Sequence, residues 1–106
     1  MTCSLIYITA GDRAEATALG RALVEARLAA CANVLPGITP IYWWGGAVQE
    51  GAEVALIAKT RDSLVGRVID FVKERHSYDC PCVVALPIAK GNPAFLDWIA
   101  EETAEA

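Results

Sequence analysis

Ile38-Thr-Pro-Ile-Tyr-Trp-Trp-Gly-Gly-Ala-Val-Gln-Glu-Gly-Ala-Glu-Val-Ala-Leu-Ile-Ala-Lys59 is the stretch on which the fold turns. Ile38 to Trp44 is dense in β-branched and aromatic residues, which suit a pleated, half-buried surface. Gly45-Gly46 accepts the positive φ angles that a two-residue hairpin turn demands. Ala47 to Lys59 reads as the return strand, bent near Gly51. The stretch predicts a long antiparallel hairpin at the centre of the chain.

Toward the N-terminus, Leu5 to Ala10 reads as a strand ended by Gly11. Asp12 is placed as an N-cap, with Glu15 three residues on to close a capping box. Ala16, Leu19, Leu23 and Ala26 recur at helical spacing, predicting a helix that runs to near Leu28. Ala30 to Val34 is a short apolar segment stopped by Pro36-Gly37. Toward the C-terminus, Thr60 to Arg75 reads as a helix with Leu64, Val65, Val68, Ile69 and Val72 on its apolar stripe. Val83 to Ile88 is the last strand. Asn92 as N-cap and Pro93 at the first helical position open a short helix anchored by Phe95, Leu96 and Ile99. Ala104 to Ala106 is expected to fray. The order is that of the ferredoxin-like β-α-β-β-α-β sandwich, an α+β class, with a long β-hairpin and an extra C-terminal helix. Residues 1–106 read as one domain.

Two helices cover one face of such a sheet, yet the strands are apolar on both. Ile41 and Trp43 face one way, Tyr42 and Trp44 the other; Leu5 and Tyr7 oppose Ile6 and Ile8; Val83 and Ala85 oppose Val84, Leu86 and Ile88. An antiparallel sheet with one wet face shows polar alternation. Hydrophobic residues make up 55% of the chain. These patterns predict a cyclic homo-oligomer that covers the second face, against the alternative that the C-terminal helix covers it.

The formal charge is −4, from 13 acidic and 9 basic side chains. That balance does not supply the basic face that nucleic-acid binding requires. No apolar run is long enough to span a membrane. The apolar run after Met1-Thr2-Cys3-Ser4 is too short and uncharged for a signal peptide, so a cytoplasmic protein is expected, with Cys3, Cys31, Cys80 and Cys82 as thiols.

Arg27-Leu-Ala-Ala-Cys-Ala-Asn-Val-Leu-Pro-Gly-Ile-Thr-Pro-Ile-Tyr-Trp-Trp44 resembles the signature segment of the CutA family of divalent-cation tolerance proteins. Glu53-Val-Ala-Leu-Ile-Ala-Lys-Thr60, His76-Ser-Tyr-Asp-Cys-Pro81 and Leu86-Pro-Ile-Ala-Lys-Gly-Asn-Pro93 resemble further family segments in the same order. The resemblance implies a ferredoxin-like subunit, a homotrimer built through the long hairpins with the shape of PII signalling proteins, and a non-enzymatic role in copper and divalent-metal tolerance. No cofactor is required on this reading; copper or another divalent metal is the candidate ligand. The chain departs from the family at Ser77, where proline is common, and at Cys82, where glutamate is common. At Ile8 and Arg75, other members carry a cysteine and a second histidine linked to copper. His76 and Cys31 remain from the family's metal-competent positions.

The residues themselves leave alternatives open. His76 is the single histidine; neutral imidazole suits Cu and Zn, and a histidine at a helix C-terminus is also favoured by the dipole. Cys80-Pro-Cys82, if extended, puts two sulfurs on one face, a soft-metal pair that His76 could complete; free cysteines are equally common as packing residues. Cys31, in its apolar stretch, reads as core on chemistry alone. Lys59 ends an apolar run and calls for an acidic partner or an anion if buried. A subunit-interface pocket of Trp44, Lys59, His76 and Tyr78, with Glu53 on the strand face of Lys59, is the expected ligand site. It would serve a PII-like sensor or scaffold that binds a small anion or a protein partner. Neither glycine cluster forms a phosphate loop.

Overall fold

A computed structural model describes residues 2–105. The elements run β1 (Cys3–Ala10), α1 (Arg13–Glu25), β2 (Cys31–Ile38), β3 (Ile41–Trp44), β4 (Ala47–Glu50), β5 (Glu53–Arg61), α2 (Val65–Arg75), β6 (Val83–Pro87) and α3 (Pro93–Glu102). Four strands form one sheet in the order β2-β5-β1-β6, each neighbouring pair antiparallel. Ile6 and Ile8 of β1 pair with Ala58 and Leu56 of β5, so these side chains share one face. They meet Leu19 and Leu23 of α1 and Val68 and Val72 of α2 in the core. Gly20 lets α1 approach the sheet closely: a Cβ there would lie 3.0 Å from Leu56 Cδ1 and 3.3 Å from Ala32 Cβ.

The central hairpin is present but broken. Gly45 and Gly46 both have positive φ, 60° and 79°, and turn Trp44 back onto Ala47 as expected of a two-residue loop. β3 and β4, however, form a separate two-stranded ribbon. The break falls at Thr39-Pro40 in one arm and Gly51-Ala52 in the other. Pro40 has no N–H to give a ladder, but its carbonyl accepts from Gly51 N–H at 3.1 Å and ties the two kinks together.

Three further boundaries differ from expectation. Pro36-Gly37 does not stop β2. It sits on an edge strand, where proline is tolerated, and the register shifts between Leu35 and Ile38, with Gly37 at φ 84°. Thr60 and Arg61 belong to β5 rather than to a helix, because they continue its pairing with Ser4 and Cys3; a single 3₁₀ turn (Asp62–Leu64) then leads into α2. α1 stops at Glu25, short of Leu28. Leu28 N–H bonds Leu23 O and Arg27 N–H bonds Val24 O, both at 3.0 Å, while Arg27 takes φ 61°. This is a Schellman closure with arginine where glycine is usual. The left-handed strain is of the order of 1–2 kcal/mol, and contacts to the C-terminal segment offset it. Arg27 Nη1 pairs with Glu102 Oε2 at 2.6 Å, and Arg27 O accepts from Ala104 N–H at 2.8 Å. Ala104, expected to fray, is therefore held; Ala106 lies outside the described residues.

α3 begins as expected, with Asn92 Oδ1 accepting from Ala94 N–H at 3.1 Å and Pro93 in the first turn. Its far end is pinned by Arg61, whose guanidinium donates to Thr103 Oγ1, Thr103 O and Ala100 O. Ile99 packs with Cys3 and Ala30, flanked by Ile88 and Leu96. α3 thus caps one end of the sheet's second face. Leu35, Val84 and Leu86, which alternate away from the helices, stay exposed, as do Ile41, Trp43 and Val48 on the ribbon.

Candidate functional site

The end of β1, the 76–82 segment and the ribbon enclose a cleft of about 580 Å³, lined by Thr9, Tyr42, Trp44, Glu53, Tyr78, Asp79, Cys80 and Cys82. Tyr42 and Trp44 reach it together because they share a ribbon face. Glu53 enters at the first position of β5, just past the kink.

His76 is the anchor of this corner. It follows the last residue of α2, and its ring is wholly buried. Nε2–H donates to the Thr9 carbonyl at 2.7 Å, and Nδ1 accepts from Tyr78 N–H at 3.0 Å. Each ring nitrogen has one role, which defines the neutral tautomer with Nε2 protonated. The Glu15 carboxylate lies 3.8 Å from Nδ1, beyond hydrogen-bond range. Its bonds go elsewhere: Oε2 accepts from Ser77 N–H at 2.8 Å, and Oε1 from Ser77 Oγ–H at 2.9 Å and Gly11 N–H at 3.3 Å. Half of the expected capping box is present, Glu15 N–H to Asp12 Oδ1 at 2.8 Å. The other half is redirected to clamp the segment after α2 against the end of β1.

Burial alone would raise the Glu15 pKa, but the bonds from the Ser77 backbone and hydroxyl and from Gly11 outweigh it and hold the carboxyl below its ordinary range. A depressed folded-state pKa contributes stability that is present above the unfolded value, about 4.3, and lost as pH falls through the folded one. Glu15→Gln is therefore expected to be less stable than wild type near neutrality, with the gap closing as pH falls below about 4. Urea unfolding at stepped pH checks this; a gap that does not change with pH contradicts it.

Tyr78 links the anchor to the cleft. Its hydroxyl donates to Glu53 Oε2 at 2.8 Å, and its ring lies 4.7 Å from that of His76. Burial, then the bond to Glu53 and the charges of Glu53 and Glu15, push its pKa up to about 12, so the phenol stays a donor at any physiological pH.

Of the residues singled out in the sequence, Trp44, Glu53, Tyr78, Cys80 and Cys82 meet in the cleft. His76 supports it from behind, with both nitrogens occupied, and does not complete a nitrogen-and-two-sulfur ligand set with Cys80 and Cys82. Lys59 is not brought there. It pairs with Leu5 and Cys31 across the sheet, and its ammonium bonds Asn33 Oδ1. Parity did put it on the face of Glu53, but six residues of strand amount to roughly 20 Å. Cys31 is half-buried beside Lys59, at the far end of β2 from the cleft. Among the described residues, no three His, Cys, Asp or Glu side chains gather closely enough to hold a metal, and the four cysteines are free. Thr9, Tyr42, Asp79, Glu15 and Ser77 were not anticipated as site residues. For Tyr42, its shared parity with Trp44 was the available signal.

The family model of the CutA1 divalent ion tolerance protein matches residues 4–102. The chain is 45% identical over 102 residues to the divalent-cation tolerance protein CutA of Archaeoglobus fulgidus, covering 96% of this chain and 98% of that one. It is 42% identical over 102 residues to the chloroplastic protein CutA 1 of Oryza sativa, covering 96% of this chain but only 58% of that longer relative. The crystal structure of CutA1 from Oryza sativa superposes with a TM-score of 0.97 at 40% identity, covering 100% of this chain and 97% of that one. With matches of this extent in sequence and in structure, the chain belongs to the family of CutA1 divalent ion tolerance proteins.

Proposed function

We propose that the chain serves divalent-metal tolerance as a non-enzymatic homotrimer of ferredoxin-like, PII-like subunits, taking up copper through Cys80 and Cys82. The observation that carries the metal reading is the exposure of both thiols at the rim of one cleft, free of disulfide or internal partner. Thiolates favour soft ions, above all Cu(I), and two of them suffice for the low coordination numbers that Cu(I) accepts. A non-catalytic role agrees with His76, whose ring nitrogens are both committed and offer no free general base. The trimer rests on the uncovered second face of the sheet. A cytoplasmic setting, where thiols stay reduced, keeps this pair available. The small-anion alternative finds less support, because the cleft walls carry Glu53 and Asp79 and no lysine or arginine.

Titration of reduced protein with Cu(I) against a chromogenic chelator tests the assignment. Wild type and His76→Ala are expected to withdraw copper alike, and Cys80→Ser/Cys82→Ser to lose at least about tenfold in affinity, or 1.4 kcal/mol. Equal uptake by the double variant removes the reading.

A further inference from the structure

We propose that His76 is a proton-driven switch: on charging, its Nδ1 leaves the Tyr78 amide for the Glu15 carboxylate and frees the chain from Tyr78 onward. The device lies inside one chain, around a ring that is wholly buried there, so it works whether or not another copy covers the cleft.

The neutral ring has no nitrogen to spare. Nε2–H donates to the Thr9 carbonyl, and the Nδ1 lone pair takes Tyr78 N–H. A proton arriving from solvent can add only at Nδ1, because Nε2 already carries one. Nδ1 then becomes a donor and faces another donor, and the Tyr78 bond cannot survive. Its new proton needs an acceptor, and Glu15 Oε2 stands 3.8 Å away, a short closing movement from hydrogen-bond range. Oε2 accepts from Ser77 N–H and has a second lone pair free. A charge-assisted bond to it is roughly twice as strong as the neutral bond given up.

The surrounding charges favour this exchange. Among the described residues, Glu15 of α1 is the one carboxylate within 4 Å of the ring. Burial would raise its pKa, yet the bonds from Ser77 and Gly11 hold it below its ordinary range, so it is still ionised where an imidazole takes up a proton. β1 offers only the Thr9 carbonyl, an acceptor in both states. Arg75, the neighbour on α2, turns its guanidinium onto the Phe71 ring at 3.6 Å. Glu53 of β5 reaches the corner through the Tyr78 hydroxyl, a tie that loosens once the Tyr78 backbone is released. The freed stretch carries Cys80 and Cys82.

NMR on reduced, metal-free, isotope-labelled protein tests this from about pH 8 to about pH 5. With one histidine in the chain, the imidazole signals need no assignment. The ring is expected to titrate in a single step. The hydrogen-exchange protection of the Tyr78 amide, taken relative to the intrinsic rate at each pH, should fall at least about tenfold along the same curve. Glu15→Gln should move the ring's midpoint down by at least about one pH unit, a tenfold loss of proton affinity; thermal unfolding confirms that this variant is folded. A ring that does not titrate in the folded protein, Tyr78 protection that stays constant while it does, or an unmoved midpoint in Glu15→Gln each overturns the proposal.

Discussion

A Val84→Glu/Leu86→Glu variant is expected to run as a monomer at concentrations where the trimer proposed for the wild-type chain is expected to form. Val84 pairs with Tyr7, and Leu86 with Leu5, on the sheet face turned away from α1 and α2. They are 49% and 52% exposed in the single chain. The same chain leaves Trp43 at 74% and Trp44 at 71% exposure. Covering the exposed part of one such tryptophan, about seven-tenths of an aromatic area of about 200 Å², is worth roughly 3.5 kcal/mol at about 25 cal/mol per Å². Several such residues give assembly a driving force that can exceed the cost of lost rotational and translational freedom. A carboxylate buried at each position in every subunit reverses the balance, since an unpaired buried charge costs several kcal/mol. Native mass spectrometry and sedimentation velocity read the outcome. A monomeric, folded wild type in dilute solution, or a trimeric double variant, contradicts the expectation.

His76→Ala is expected to lower unfolding stability by about 3 kcal/mol. The imidazole is fully buried and serves two backbone groups at once, the Thr9 carbonyl and the Tyr78 N–H. Its loss leaves the Thr9 carbonyl without that bond at the buried end of β1, at a cost of about 1–3 kcal/mol. The Tyr78 N–H lies closer to solvent and is partly compensated by water. The missing ring adds a cavity term. Because His76 also orders Tyr78, the bond from Tyr78 to Glu53 loosens with it. Denaturant unfolding at neutral pH measures the loss. A change under about 1 kcal/mol would mean that the ring is not the brace inferred here.

Much of the fold was readable from the chain. The Gly45-Gly46 turn, the Asp12 and Asn92 caps and the stripes of α1 and α2 are local devices, set by φ preference and by spacing of 3.6 residues. The two-sided greasiness of the strands was equally plain, and α3 covers only one end of the second face. The strand boundaries were not legible, because they depend on partners remote in sequence. Pro36 is tolerated only because β2 has an edge, and Arg61 stays in β5 because it pairs with Cys3 and reaches α3.

The site divides in the same way. Composition and spacing by themselves determined the α+β order, the parity that puts Tyr42 with Trp44, and the presence of a lone histidine beside two nearby thiols. Only the tertiary structure decided what those groups do. It spent both nitrogens of His76 on backbone bonds, drew Glu15 away from its cap to Ser77, held Lys59 at Asn33, and gathered Glu53 with Tyr78 across 25 residues of chain. Turns and caps are fixed by neighbours a few bonds away. A hydrogen bond between distant segments exists only once packing has brought donor and acceptor together, and no periodicity in the chain encodes that meeting.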